Sequence, residues 1–174
     1  MRHDLLIETW TFAMLRICFA FFILFVGATS ASAQEWTLGL GTTDFGDQGQ
    51  DSLALDLEYR HTPFIEKRVL SVAWGVNVAL SAEGDSFIGG GIWSRWQWQN
   101  GWFIDNSIMP GFFEEGTAGN DLGSSFEIRS LLGVGYQFDN GHALSAAISH
   151  KSNASLADDN PGMNTYTLRY HFRF

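Results

Sequence analysis

A histidine and a serine lie two residues apart near the end of the chain, at His150 and Ser152. In a β-strand this spacing places both side chains on one face, with their Cβ atoms about 7 Å apart. A tilted imidazole can then bring a ring nitrogen within about 3 Å of the hydroxyl oxygen, as a general base for a serine nucleophile requires. The same pair also occurs as an inert surface feature of soluble strands. The face on which it lies therefore decides which interpretation holds.

This pair continues the more apolar face of its strand. From residue 141 to residue 152 the even positions are mostly apolar, whereas the odd positions are small or polar. In the closing strand the even positions after Asn164 are aromatic or aliphatic, so Asn164 shares the apolar parity. If that face meets lipid, these three polar residues form a cluster where unpaired polar groups are costly. Such a cluster is expected only where it serves a function.

Residues 1–33 are predicted to be a removable signal peptide. An unbroken apolar run covers residues 17–26, and Ala31-Ser32-Ala33 follows as an A-x-A cleavage signal. The run is shorter than the roughly 20 residues that a membrane-spanning helix needs. Translation starts at Met1 or at Met14, of which Met14 gives the more ordinary signal peptide.

Residues 34–174 are predicted to form one domain, an all-β, eight-stranded antiparallel transmembrane β-barrel. This segment has no cysteine and no convincing helical periodicity, and nearly every stretch alternates with period two. The predicted strands have about ten to twelve residues each, the length of a tilted transmembrane strand. An exported chain without a spanning helix can cross a membrane only as a closed barrel. The strands are marked by Trp36 to Leu40, Leu53 to Tyr59, Leu70 to Leu80, Ile88 to Trp98, Trp102 to Ile108, Phe126 to Phe138, Gly141 to Ser152 and Asn164 to Phe174.

The predicted connections alternate in length. Asn100-Gly101 and Asn140-Gly141 form tight hairpin turns, and residues 60–68 are one longer link on the same side. Short turns on one side and long loops on the other are typical of bacterial outer-membrane barrels. The bacterial outer membrane is therefore the predicted localisation, with an acidic external rim. The long links hold Asp44, Asp47, Asp51, Glu83, Asp85, Glu114, Glu115, Asp121, Asp158 and Asp159.

The charges of the chain disfavour nucleic acid as a partner and predict which charged residues line the barrel interior. The formal net charge is -9 at pH 7, which disfavours nucleic acid because phosphate binding requires a basic face. Charges of both signs lie on the face opposite the apolar one, where they can pair inside a narrow lumen. At eight strands side chains fill the lumen, so no pore is expected. The predicted interior charges are Asp56, Glu58, Arg95, Asp105, Glu127, Arg129 and Arg169.

The aromatic residues favour a membrane barrel over a soluble one. Tryptophan and tyrosine recur near strand ends, as in the interfacial girdles of membrane barrels. The alternating aromatic end from Tyr170 to Phe174 resembles the assembly signal of bacterial outer-membrane proteins. A soluble lipocalin-like carrier, with these rings in its core, is the alternative.

The C-terminal quarter resembles the outer-membrane lipid A 3-O-deacylases of the PagL type. His150-x-Ser152-Asn153-Ala154, Asn160-Pro161-Gly162 and the closing aromatic strand carry the resemblance, together with Leu122-Gly123-Ser124-Ser125-Phe126. It implies an eight-stranded barrel whose active site lies on the outer wall, facing lipid near the external rim. There the protein would hydrolyse the ester-linked acyl chain at the 3 position of lipid A. No cofactor and no metal site are predicted.

The resemblance also implies roles for individual residues. By position, Ser152 is the nucleophile, His150 is the base, and Asn160 donates hydrogen bonds to the oxyanion with help from Asn153. The third member in the family is a glutamate on the closing strand, where this sequence has Asn164.

The amide at position 164 is where this sequence departs from the family pattern. An asparagine can orient an imidazole but cannot balance the charge of an imidazolium. Asp158 or Asp159 could fold back from the loop to supply that charge. The alternative function is a catalytically silent barrel with a structural or adhesive role. The predicted partners are lipid A or lipopolysaccharide and the outer membrane, with a second copy of the chain if the protein forms a homodimer.

Overall fold

The structure, a computed structural model, describes residues 34–44 and 51–173. The predicted signal peptide, its start at Met1 or Met14 and the terminal Phe174 lie outside these residues. No helix among the described residues is long and apolar enough to cross a membrane.

The described residues form nine strands, of which eight are long and one has two residues. Buried and exposed side chains alternate along the long strands, as the period-two pattern of the sequence predicts. The strands are β1 (Glu35–Asp44), β2 (Leu53–Arg60), β3 (Ile65–Glu66), β4 (Leu70–Ser81), β5 (Ser86–Gln97), β6 (Trp102–Glu114), β7 (Phe126–Gln137), β8 (Ala143–Ser152) and β9 (Met163–Arg173).

The eight long strands close into a barrel. From β4 to β9 each strand pairs antiparallel with the next, β9 pairs with β1, β1 with β2, and β2 with β4. The predicted all-β, eight-stranded antiparallel barrel is thereby confirmed. The short β3 lies within the link of residues 60–68 and pairs with Ser71 and Val72 of β4, which the sequence pattern did not predict.

The outer wall exposes large apolar side chains on every long strand. Leu40, Ile108 and Phe112 are each more than 60% exposed, at 62%, 61% and 67%. A soluble protein rarely leaves so wide an apolar band in water, whereas lipid covers such a band in a membrane barrel. The structure therefore favours the membrane barrel over the lipocalin-like carrier.

The inner wall is lined by buried charges that pair with one another. Arg95 binds Asp105 and Glu35 at 2.7 and 2.9 Å, and Arg60 contacts Glu35 and Glu58. Deeper along the lumen Arg129 and Arg169 share Asp56 and Glu58. The seven predicted interior charges are all buried, but the carboxylate oxygens of Glu127 have no hydrogen-bond partner within residues 34–44 and 51–173.

The end of the barrel with the long loops is closed by a small packed layer. Asp85, predicted to lie in the acidic external rim, is buried, at 3% exposed. Its Oδ1 accepts hydrogen bonds from the backbone N–H groups of Gly116 and Asn120 at 2.9 and 3.2 Å, which fixes the loop between β6 and β7. Leu122 of this loop joins Phe87, Phe113 and Met163 in a buried apolar cluster. Because Met163 begins β9, this layer fixes the start of the strand that carries Asn164.

Candidate active site

Two neighbouring strands bring the predicted residues together at the loop end of the barrel. His150 and Ser152 lie at the end of β8, and Asn164 lies at the start of β9. The register pairs His150 directly with Asn164. All three occupy the outward-facing positions of their strands, with His150 exposed and the other two half-buried. The polar cluster predicted on the apolar wall is thus present in the structure.

The contact between His150 and Asn164 selects one form of the imidazole. His150 Nδ1 lies 2.9 Å from Asn164 Oδ1. A carbonyl oxygen only accepts hydrogen bonds, so Nδ1 carries the proton in this arrangement. Nε2 is then left with its lone pair, as a general base for a hydroxyl requires. Within residues 51–173 no hydrogen bond joins Ser152 to His150, and such contacts commonly tighten when substrate binds.

Gly162 provides the surface on which the His150 ring rests. It has a φ of +69°, which L side chains rarely adopt. A Cβ atom at this position would lie 2.8 Å from His150 Cε1 and 3.2 Å from Nε2. Any larger residue would therefore displace the imidazole, so a glycine here is required both by the turn and by the ring.

The two asparagines predicted at the oxyanion site have different surroundings. Asn153 is fully buried, and its Nδ2 donates hydrogen bonds to the carbonyl oxygens of Leu122 and Asp159 at 3.2 and 2.7 Å. Asn160 is exposed, and its Oδ1 accepts the backbone N–H of Asn153 at 3.0 Å. Asn153 therefore ties two loops together, whereas Asn160 has its oxygen held and its NH2 group directed elsewhere.

The chain leaves Ser152 through a tight turn. Ala154 and Ser155 both have positive φ angles, 53° and 61°, and the N–H of Leu156 donates to the carbonyl of Asn153 at 3.1 Å. Non-glycine residues in this region are uncommon and concentrate at functional sites. The turn thus begins directly after the strand that ends at Ser152.

The cross-strand row through His150 contains two further polar residues. Ser130 of β7 is the partner of His150 on one side, and Asp44 of β1 is the partner of Asn164 on the other. Asp44 was predicted as part of a loop, but it is the last residue of β1. Its parity on β1 could have indicated an outward position, but only the pairing of β1 with β9 reveals its neighbour.

An apolar groove runs along the outer wall next to this row. It crosses β1, β2, β7, β8 and β9, and Ile148 and Tyr166 bring it to the positions adjoining His150 and Asn164. Gly41 allows a close approach of strands there, since a Cβ would lie 1.7 Å from the Tyr166 carbonyl oxygen. The remaining lining is mostly aliphatic: Leu40, Thr42, Leu53, Leu132, Val134, Ala146, Ala147, Thr167 and Leu168.

A second histidine with a serine and a carboxylate lies inside the barrel. His171 Nε2 is 2.7 Å from Ser145 Oγ, and its Nδ1 is 2.8 Å from Glu35 Oε1. All three residues are buried, and the Phe103 ring packs edge-on against the imidazole at 5.5 Å. These residues were not predicted from the sequence, because their spacing along the chain matches no motif.

The family model described as lipid A 3-O-deacylase (PagL) matches residues 53–173, which is more than half of the chain. The chain belongs to the PagL family. The lipid A deacylase PagL of Pseudomonas aeruginosa is 35% identical over 69 residues, which are 39% of this chain and 40% of that protein.

Solved structures support the same fold. The crystal structure of the outer membrane enzyme PagL aligns with a TM-score of 0.67 at 21% identity, covering 80% of this chain and 99% of that one. Neisserial surface protein A aligns with a TM-score of 0.53 at 8% identity, covering 81% and 96%. The predicted family and the predicted bacterial outer-membrane localisation are both confirmed. The roles of the individual site residues stay predictions.

Proposed function

We propose that this PagL-family barrel hydrolyses the ester-linked acyl chain at the 3 position of lipid A, with Ser152 as nucleophile and His150 as general base. Family membership supports lipid A as the substrate. One observation carries the assignment of residues: His150 is held by Asn164 in the tautomer with a free Nε2, beside Ser152 on the lipid-facing wall. An imidazole with Nδ1 occupied and Nε2 free is the form that removes a proton from a serine.

The reaction proceeds through an acyl-enzyme. His150 Nε2 takes the Ser152 proton as Oγ attacks the ester carbonyl carbon. The tetrahedral intermediate breaks its bond to the sugar oxygen, which receives that proton from His150 and leaves as the 3-hydroxyl of lipid A. Water then gives a proton to His150 and attacks the acyl-serine, and the returning proton restores Ser152 and releases the fatty acid.

Asn160 is the better placed of the two asparagines to stabilise the oxyanion. Its Oδ1 is held by the backbone of Asn153, which directs its Nδ2 hydrogens away from that contact. The Nδ2 hydrogens of Asn153 are already donated to loop carbonyls. In our proposal Asn160 donates to the developing negative charge, and Asn153 holds the loop that presents it.

The surroundings of the row suit a lipid with a polar head. The apolar groove beside Ile148 and Tyr166 can hold an acyl chain along the outer wall. The cross-strand row through His150 lies where the strands reach the external loops, at the depth of a sugar headgroup. The ester would thus meet Ser152 at the border between hydrocarbon and headgroup.

The experiment compares three purified barrels on lipid A, with the products analysed by mass spectrometry. Ser152→Ala removes the attacking atom, and release of a 3-hydroxy fatty acid should fall at least about 10³-fold. Ser130→Ala is the matched control, because it removes a hydroxyl from the same wall directly opposite His150. This variant should keep at least about half of the activity. Equal activity of Ser152→Ala and the parent, both heat-modifiable on gels, would remove the mechanism.

The uncharged Asn164 favours a second candidate, a catalytically silent barrel with a structural or adhesive role. In that case His150 and Asn164 form only a surface hydrogen bond. Parent protein that releases no fatty acid from lipid A, while Ser152 fails to react with a fluorophosphonate, would support this candidate. Serine-dependent release would exclude it.

A further inference from the structure

The proposed chemistry leaves a positive charge on His150 with only an amide beside it. When Ser152 gives up its proton, the imidazole becomes an imidazolium at the edge of a low-dielectric layer. Asn164 accepts the Nδ1 hydrogen bond but carries no negative charge that could offset the positive charge of the imidazolium. A carboxylate near this row would stabilise the charged state more than it would in water.

Asp44 lies in the row, one strand beyond Asn164. Its Cα pairs with that of Asn164 across β1 and β9, just as His150 pairs with Asn164 across β8 and β9. The Tyr166 hydroxyl donates to Asp44 Oδ2 at 3.3 Å. Because Tyr166 is exposed on the outer wall, this bond shows that the Asp44 carboxylate is also on the outer face.

The orientation of the Asn164 amide connects the two neighbours. Its oxygen accepts from His150 on β8, so its NH2 group lies on a different side of the amide from that contact. Asp44 occupies the position beside Asn164 on the strand opposite to β8. An amide is polarised favourably when a cation lies at its oxygen and a carboxylate lies on the side of its NH2 group.

We infer that Asp44 acts as a positioning and charge-balancing residue for His150 through Asn164, in place of a carboxylate at position 164. The inference rests on the proposed serine hydrolase chemistry. Asp44 neither touches substrate nor takes a proton. It holds the Asn164 amide in the orientation that keeps His150 Nε2 free, and it stabilises the imidazolium electrostatically.

Other carboxylates near the site are less well placed for this role. Asp158 and Asp159 are exposed in the loop between β8 and β9, and the contact recorded for Asp159 uses its backbone carbonyl. Glu127 is buried on the inner wall. The loop aspartates, which the sequence left open as substitutes, lie outside the strand row that contains His150.

The test is a double-mutant cycle of Asp44→Asn and Asn164→Glu, with kcat and KM measured on lipid A. Two strand spacings separate Asp44 from His150, about 10 Å, which at an effective dielectric constant near 20 corresponds to about a tenfold effect. Asp44→Asn should lower kcat about tenfold with KM unchanged. In the Asn164→Glu background the same change should alter kcat less than about twofold, because a direct carboxylate replaces the indirect one. Asp44→Glu should recover most of the loss.

Two controls separate this effect from general changes at the rim. Glu114→Gln removes an exposed carboxylate at the same end of the barrel and should leave kcat unchanged. Asp158→Asn tests the loop alternative and should also leave kcat unchanged. The rate at which a fluorophosphonate labels Ser152 should follow kcat across the cycle, since it reports serine activation without lipid A.

The outcomes distinguish this inference from the proposed function. Equal losses from Asp44→Asn in both backgrounds, or no loss in the parent, would overturn the role of Asp44 while leaving serine-dependent hydrolysis in place. A loss in Asp158→Asn that matches Asp44→Asn would do the same. No Ser152-dependent labelling or hydrolysis in any variant would overturn the proposed function and this inference together.

Discussion

His150 and His171 have similar hydrogen-bonding partners on the two faces of one barrel wall. His171, on the inner face, contacts Ser145 and Glu35 at 2.7 and 2.8 Å, a complete serine, histidine and carboxylate series. His150, on the outer face, contacts an amide at 2.9 Å and has its serine two residues away. Judged by hydrogen bonds alone, the inner set is the better triad.

The access of a substrate to each serine favours the outer set instead. The inner set is buried against Phe103, and two arginine guanidinium groups lie 3.4 Å from His171 Nδ1. Ser145 is only 3% exposed, so a substrate outside the wall does not reach it. The outer set faces the outside of the barrel wall, and the His150 side chain is exposed there. A hydrogen-bonded triad thus stabilises a closed lumen in one place, and an incomplete one is proposed to perform chemistry in the other.

The largest expected effect that separates the two sets is on stability. Glu35→Gln removes the charge that two buried arginines and His171 share. Breaking a buried ion-pair network at one member typically costs 3–5 kcal/mol, so the free energy of unfolding should fall by about 3 kcal/mol. Urea titration of the barrel in detergent, followed by tryptophan fluorescence and gel mobility, measures this change.

Deacylase activity is the matching control for that variant. At a temperature where Glu35→Gln stays folded, release of fatty acid should remain within about twofold of the parent. Glu114→Gln, at an exposed position, should change stability by less than about 0.5 kcal/mol. A large loss of activity in folded Glu35→Gln would mean that the inner set takes part in the reaction.

The sequence predicts the barrel and the row better than the partners of each residue. Alternation along each strand correctly predicted which side chains of β8 and β9 face outward, because a strand has a fixed period of two. The end of the barrel that carries the short turns was predicted from Asn100-Gly101 and Asn140-Gly141. The glycine has a φ of +87° in both turns. The inward and outward positions of the charges followed from the same alternation.

Cross-strand partners depend on register, which alternation does not fix. Asp44 lies opposite Asn164 only because β1 and β9 close the barrel with Trp36 opposite Phe172. Aligning the aromatic girdles of the first and last strands could have predicted that pairing. Burial of Asp85 and the bridging role of Asn153 depend on how two loops fold over the lumen, and no periodic signal describes loops.

A carboxylate introduced into the outer set at position 164 is expected to have an effect of intermediate size, on kcat. Asn164→Glu places a carboxylate directly opposite His150 and makes its hydrogen bonding resemble that of His171. In a serine protease the reverse change, acid to amide, costs about 10⁴ in rate. Because Asp44 already supplies part of the field in our inference, we expect a smaller gain, at least about tenfold in kcat. Steady-state kinetics on lipid A measures it, and a folded variant no faster than the parent contradicts it.

The smallest expected effect concerns the position of the outer histidine. Few contacts hold His150 compared with His171, and Gly162 is one of them. An alanine at 162 would place its Cβ 2.8 Å from His150 Cε1, so the ring must move by several tenths of an ångström. General-base catalysis is sensitive to displacements of that size, and we expect Gly162→Ala to lower kcat about fivefold.

Gly162→Ala also strains the backbone, so the effect on the ring needs a control for strain alone. Gly141 has a φ of +87°, and a Cβ there would meet no atom within 4 Å apart from those of its chain neighbours. Gly141→Ala therefore imposes a similar conformational penalty, about 1–2 kcal/mol, without touching the His150 ring. Both variants should lose similar stability, but only Gly162→Ala should lose activity and react more slowly with a fluorophosphonate at Ser152. Equal activity of the two variants would mean that the His150 ring adjusts without cost, and that its contact with Asn164 alone determines where the base lies.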